Sequence, residues 1–269
     1  MYLLFDLGKT NLRIAVSERG TAIDASVVVP SPKTFSEVTT AIKNGAWYLG
    51  AKKLRGMCGG IAAPLVPGTS RVASLGPRWR DGSLAEKLKT IFKVPVAVEN
   101  DAALAGLGEA VYGAGKDHDI VGYMTVSTGV GGARIIHKRI DTSAFGFEPG
   151  DQIIDANRRP LQDLEEMIAG KYFEKRYGRK PREITDKKIW DRAAFLLACG
   201  LVNTAALWSP NIIILGGSMM KKVGIPLPKT IAYFDRLWKR PRHKPRIVLA
   251  RLSDASGLYG ALAYIRQKK

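Results

Sequence analysis

The chain has 269 residues, 46% of them hydrophobic, which allows a substantial core in one large domain or two modest ones. A formal net charge of +18, with lysines and arginines crowded between Lys221 and Arg246, attracts polyanions such as nucleic acid or a phosphate chain, and also fits a solvated basic face. No apolar run reaches the ~18 residues of a membrane span, the N-terminus meets Asp6 too early for a secretory signal, and the two cysteines, Cys58 and Cys199, sit in apolar surroundings as reduced core residues, so the expected location is the cytoplasm.

In chain order, residues 1–8 read as a buried strand (Leu3, Leu4, Phe5) closed by a polar turn at Asp6 and Gly8. Strands follow over 12–16 and 25–29, with Arg19-Gly20 as the hairpin turn between them. Phe35, Val38, Ile42, Ala46 and Leu49 mark one face of a helix over 35–49. A strand over 54–61 leads into a glycine- and proline-rich loop, and a helix over 83–92 takes Ser83 as its cap. Residues 94–98 form a strand that stops at Glu99-Asn100-Asp101, and 102–112 form a small-residue helix. The pattern then restarts. A strand over 120–126, a glycine turn over 128–132 and a strand over 134–137 precede long helices over 161–177 and 189–208. Strands over 212–215 and 247–250 and a terminal helix over 257–267 complete the chain. The echo of strand, polar glycine turn and strand near residues 8 and 129 predicts two similar α/β halves with a ligand between them.

Four stretches carry candidate chemistry, and each has an ordinary structural reading beside the functional one. In Asp6-Leu7-Gly8-Lys9-Thr10, backbone N–H groups can face phosphate, Asp6 can hold magnesium through water, and Thr10 can donate to phosphate; the same residues make an ordinary hairpin. Ser127-Thr128-Gly129-Val130-Gly131-Gly132 can cradle phosphate, yet it lacks the ending of a Walker loop and the helix that a dinucleotide fold requires. Asn100-Asp101 sits at a strand-to-helix junction, where it can cap the helix or supply the carboxylate that accepts a hydroxyl proton. Gly216-Gly217, after a buried strand, leaves room for a flat ring such as adenine, or makes a simple turn.

Taken together and in this order, these stretches resemble the ROK family of repressors, uncharacterised proteins and sugar kinases. Gly60-Ile61-Ala62-Ala63-Pro64 matches its early loop, and residues 94–103, Val-Pro-Val-Ala-Val-Glu-Asn-Asp-Ala-Ala, are the most specific match, continued by Leu107-Gly108-Glu109. The resemblance covers nearly the whole chain. It implies an α/β fold of two actin-like ATPase (ribonuclease H-like) domains flanking an interdomain cleft. The expected domains are 1–111 with the terminal helix 257–269, and 112–256. It implies an ATP- and Mg2+-dependent sugar kinase with Asp101 as base and Asn100 on a sugar hydroxyl. Gly8, Thr10, Thr128 and Gly129 would then line the phosphates and Gly216 and Gly217 border the adenosine.

Several departures accompany the resemblance. The family's Glu-x-Gly-His substrate motif appears as Glu148-Pro149-Gly150-Asp151, so Glu148 can still accept sugar hydroxyl bonds, and Asp151, in place of histidine, can accept them too but is a poorer soft-metal ligand. The following stretch, 154–161, has no cysteine, so no zinc site is expected. Glu165 stands where the family places a further sugar-binding glutamate, and reads equally as a solvent-facing helical charge. Lys9 replaces a glycine and either neutralises transferred phosphate or faces solvent. The Gly-x-Thr-Asn-x-Arg run tilts the substrate toward glucose or a close relative. The expected assembly is a homodimer without membrane contact. Polyphosphate as donor, a sugar-sensing regulator and a nucleic-acid binder remain as alternatives, although a phosphate loop opening at residue 6 leaves no room for a preceding helix-turn-helix.

Overall fold

Strand β1 (Tyr2–Leu7) buries both of its faces, and the two-residue period of a strand sorts its side chains between them. Leu3, Phe5 and Leu7 enter one core, and Asp6 falls on the opposite face with Leu4. The computed structural model describes residues 1–66, 69–73, 83–157 and 160–268. The chain divides into two units, Met1–Gly113 with Thr142–Gly146 and Asp254–Lys269, and Ala114–Asp141 with Phe147–Ser253.

In the first unit, β2 (Asn11–Ser17) and β3 (Ala25–Pro30) continue from β1 as antiparallel neighbours. Helix α1 (Phe35–Tyr48) starts with a reciprocal cap: the Thr34 hydroxyl accepts from the Glu37 N–H, and the Glu37 carboxylate accepts from the Thr34 N–H. Phe35, Val38 and Ile42 of α1 pack on Leu3, Phe5 and Ile14, and full burial of each such side chain contributes roughly 1.5–3 kcal/mol. Strand β4 (Gly56–Ile61), helix α2 (Leu84–Phe92) capped by Ser83, strand β5 (Val96–Asn100) and helix α3 (Asp101–Tyr112) follow. β4 runs parallel to β1 and β5 parallel to β4, giving the sheet order β3-β2-β1-β4-β5.

The second unit repeats the plan. Strands β6 (Ile120–Val126), β7 (Val130–Ile136) and β8 (Arg139–Ile140) form an antiparallel set. After the short pair β9 (Ile153–Asp155) and β10 (Gln162–Asp163) come α4 (Leu164–Ile168), α5 (Gly170–Tyr177) and the 22-residue α6 (Lys187–Trp208). Strand β11 (Ile212–Gly216), helix α7 (Leu227–Leu237) and strand β12 (Arg246–Leu249) complete the unit. β11 lies parallel to β6 and β12 parallel to β11, so the order β12-β11-β6-β7-β8 is that of the first sheet, strand for strand. This doubled sheet is the source of the sequence echo. The core joins Met124 and Val126 of β6, Ile213 and Leu215 of β11, and Leu164, Phe173, Leu197 and Phe234 from the helices.

The terminal helix α8 (Ser256–Gln267) belongs to the first unit and packs on α3. A Cβ on Gly108 would strike the Ser256 carbonyl and one on Gly260 the Leu104 carbonyl, so the two helices touch at their backbones. Ser256 Oγ donates to the buried Glu109 carboxylate at 2.8 Å, which satisfies an otherwise costly buried group.

Three expectations change. The single helix over 161–177 is two helices, broken at Ala169, whose ψ of 149° is extended. The break aims the Gly170 N–H at the Ser127 carbonyl, 2.7 Å away. Gly131 and Gly132 lie inside β7 rather than in the turn, because they pair with Thr125 and Met124 across the hairpin. Helix α7 has no counterpart in the sequence reading. Among the described residues no helix is long and apolar enough to cross a membrane, and no group of three or more His, Cys, Asp or Glu residues can hold a metal. Arg158 and Arg159, in the stretch without cysteine, lie outside the described residues.

Candidate functional site

In the first unit, register brings the chemistry together. Asp6 of β1 lies opposite Gly60 of β4, and Gly60 opposite Glu99 of β5. The missing side chain at Gly60 is the means: a Cβ there would come within 3.0 Å of Asp101 Cα. The chain leaves β5 at Asn100, and the helix begins with Asp101. Of the two residues that could cap α3, Asn100 does so, its Oδ1 accepting the Ala103 N–H at 3.0 Å. Its Nδ2 donates to Ala63 O at 3.4 Å, which leaves one amide hydrogen and one lone pair for a ligand. Asp101 is therefore not needed as the cap. Its Oδ1 accepts the Ala102 N–H at 2.8 Å, and the side chain is only partly exposed.

Burial raises the Asp101 carboxyl above its ordinary range, while the Ala102 N–H and the Lys9 ammonium pull it down. Asp6 is pushed up to about 7, first by burial and then by the Asp101 charge, against the pull of Arg13. Arg13 Nη1 stands 3.9 Å from Asp6 Oδ2, and its Nη2 3.8 Å from Asp254. The Asp101 carboxylate thus helps to hold the proton on Asp6. Gly8, Lys9 and Thr10 form the turn between β1 and β2, with the Gly8 N–H bonded to Asn11 O and Lys9 and Thr10 exposed.

The second unit gathers the remaining candidates at the C-terminal ends of β6 and β11, where α/β sheets place their ligands. The Ser127 and Ser218 hydroxyls, 3.0 Å apart, tie the turn Ser127–Gly129 to the turn after β11. Gly217 has φ +94°, and a Cβ there would strike the Val126 carbonyl, so this close approach requires glycine. Glu165 is not a solvent-facing charge. One carboxylate oxygen accepts the Val130 N–H at 2.8 Å and the other the Lys171 ammonium at 2.6 Å. A Cβ on Gly129 would lie 2.5 Å from Glu165 Oε2, so the glycine admits that carboxylate beneath the turn. Glu148 and Asp151 are exposed and flank Gly150, which packs against Val130 and Glu165. Asp163 is raised by burial and by the charges of Glu166, Asp151 and Glu165, which marks a cluster of carboxylates here.

In the first unit, a single carboxylate such as Asp6 has the chemistry for a Mg2+ ion that keeps most of its waters, and the Thr10 hydroxyl that for a phosphate oxygen. In the second unit, the Thr128 hydroxyl and the bare backbone at Gly217 have the chemistry for phosphate and a flat base. Sequence reasoning assigned no role to Arg13, Lys171, Ser218 or Asp254. Lys171 is six residues from Glu165, a spacing that joins two side chains only because the helix breaks between them.

A family model described as the ROK family matches residues 2–268. The chain is 30% identical over 201 residues to a fructokinase of Pediococcus pentosaceus, covering 69% of each chain. It superposes on a ROK glucokinase of Streptomyces griseus, solved with glucose and AMPPNP, with a TM-score of 0.83 at 24% identity over 99% of both chains. An inorganic polyphosphate/ATP-glucomannokinase of Arthrobacter sp. strain KM superposes with a TM-score of 0.75 at 26% identity over the full length of both.

Proposed function

The chain belongs to the ROK family, and from that premise we propose that it is an ATP-dependent kinase that moves a γ-phosphoryl group onto a hexose-type hydroxyl, with Asp101 as general base. The two units are the actin-like ATPase domains of that family. The observation that carries the reading is the division of labour at the start of α3. Asn100 caps the helix, so the Asp101 carboxylate, one residue on, is left to accept a proton.

In this reading Asp101 takes the hydroxyl proton, and the Ala102 N–H and the Lys9 ammonium favour its ionised, basic form against the cost of burial. Asn100 and Glu148 bond other hydroxyls of the sugar, and Asp151 and Glu165 supply further carboxylates that accept from it. Gly8, Lys9, Thr10, Thr128 and Gly129 face the phosphates, and Gly216 and Gly217 border the base. ATP supplies the transferable phosphoryl group; Asp6 would hold a Mg2+ ion, whose charge would screen the phosphates. The relatives' names, a fructokinase, a glucokinase with glucose and AMPPNP, and a glucomannokinase, support hexose and ATP as the substrate classes.

The test is steady-state ADP release across hexoses and N-acetylhexosamines, followed by Asp101→Asn with the best acceptor. Loss of the base lowers kcat by about 10²–10⁴-fold with the sugar still bound. Near-native turnover in Asp101→Asn sinks the assignment. Polyphosphate is the second donor to assay. The +18 charge and the likeness to a polyphosphate/ATP enzyme favour it, and the ratio of turnover with the two donors decides.

A further inference from the structure

Lys171 is the second residue of α5, just past the break at Ala169. Its backbone N–H points at Thr128 O, 3.4 Å away, while the Gly170 N–H bonds to Ser127 O at 2.7 Å. The start of α5 is thus sewn to the turn Ser127–Gly129 by its main chain. The side chains repeat the connection: Lys171 Nζ donates to Glu165 Oε1 at 2.6 Å, and Glu165 Oε2 accepts from Val130, the residue that closes the turn. The ammonium also lies 4.6 Å from the centre of the Tyr172 ring, which limits its swing. Both Glu165 oxygens are therefore tethered, one from each side.

We propose that Lys171 is a positioning residue for the acceptor sugar, holding the Glu165 carboxylate in one orientation against the turn Ser127–Gly129. The proposal rests on the kinase reading above. A carboxylate fixed at both oxygens presents its remaining lone pairs in set directions, so a sugar hydroxyl binds without first ordering the side chain. Without Lys171 the carboxylate keeps one bond, to Val130, and rotates about it. Neighbouring charge adds to the need. Asp151 and Asp163 share this region with Glu165, and a cation at 2.6 Å offsets their repulsion. The Lys171 side chain is 42% exposed, which places the pair in the range of a partly solvated ion pair and predicts a moderate effect.

The experiment measures kcat, acceptor KM and donor KM for the wild type, Lys171→Met, Lys171→Arg, Glu165→Gln and the double variant Lys171→Met/Glu165→Gln, with calorimetric sugar binding in the absence of nucleotide. Lys171→Met raises the acceptor KM and Kd together, about fivefold, with kcat and donor KM nearly unchanged, and Lys171→Arg restores most of the loss. In the Glu165→Gln background the Lys171→Met change has no further effect, because it acts through that carboxylate. A rise in donor KM alone makes Lys171 a phosphate contact and overturns the proposal, as does additivity in the double variant or an unchanged acceptor KM. A wild-type protein that binds and phosphorylates no sugar overturns the kinase reading itself, and the positioning role falls with it.

Discussion

Replacing Asp6 with asparagine separates what this carboxyl costs the fold from what it contributes to chemistry. Its side chain is 15% exposed, faces Asp101 across Gly60, and has Arg13 3.9 Å away as its cation. The folded chain holds its proton up to about pH 7, whereas an unfolded chain releases it near 3.8. Between those two values the folded state binds more protons, so stability falls as pH rises through the window and is level beyond it. At about 1.4 kcal/mol per pH unit the whole window amounts to roughly 4 kcal/mol. Asparagine matches the neutral carboxyl in shape and never ionises. Near pH 4 the variant and the wild type are therefore equally stable; by pH 8 the variant is more stable by up to about 4 kcal/mol, while its kinase turnover is lost. Urea unfolding of the nucleotide-free proteins at intervals from pH 4 to pH 8 reads the difference. Parallel pH profiles mean that Asp6 titrates alike in the folded and unfolded chains, and a variant that loses ground as pH rises means that folding lowers its pKa; either outcome refutes the reasoning.

Two further perturbations follow. Lys9→Met removes a cation that favours the ionised form of Asp101, so the acid limb of the kcat/KM profile moves to higher pH; an unmoved limb shows that the ammonium does not act on the base. Gly217→Ala places a Cβ against the Val126 carbonyl at φ +94°, which costs about 1–3 kcal/mol of strain, lowers the thermal midpoint and raises the donor KM, and a variant with wild-type melting and donor affinity contradicts the close packing of the two turns.

What the sequence shows and what it hides divide along a physical line. Helix α1 is legible because Phe35, Val38, Ile42 and Ala46 repeat at the helical period and all four are buried. The Ser83 cap is legible because its partner, the Glu86 N–H, is three residues away. Asn100-Asp101 is legible as a junction and ambiguous as chemistry, since either residue can cap; only the bond from Ala103 to Asn100 distinguishes them. The break at Ala169 is hidden. Leu164, Ile168 and Phe173 all enter one core, so the apolar rhythm runs through the break, and the bonds that cause it come from Ser127 and Thr128, some forty residues upstream. Helix α7 is masked by its own composition. Pro226 and Pro228 read as breakers, although proline is accepted at a helix start, and the periodic Leu227, Thr230, Phe234 and Leu237 lie among lysines and arginines that read as a surface run. The role of Glu165 is hidden for the same reason as the break, because Val130 and Lys171 meet it only in the folded chain.

The substitution at Asp151 and the pairing of Lys171 belong to one account. Where the family carries a histidine, this chain places a carboxylate beside Gly150, which packs on Glu165. The added negative charge is felt by Asp163, whose proton is held above the usual range by burial and by the charges of Glu166, Asp151 and Glu165. A wall of carboxylates suits sugar hydroxyls, which donate to it, but repels itself. Lys171 offsets that repulsion, since its ammonium lies on Glu165 while its backbone N–H points at Thr128 O and holds the residue beside the turn. A carboxylate at residue 151 and a lysine at residue 171 are then a matched pair. Asp151→His relieves the repulsion, so it makes Lys171 less necessary, and the loss in acceptor affinity caused by Lys171→Met shrinks in that background.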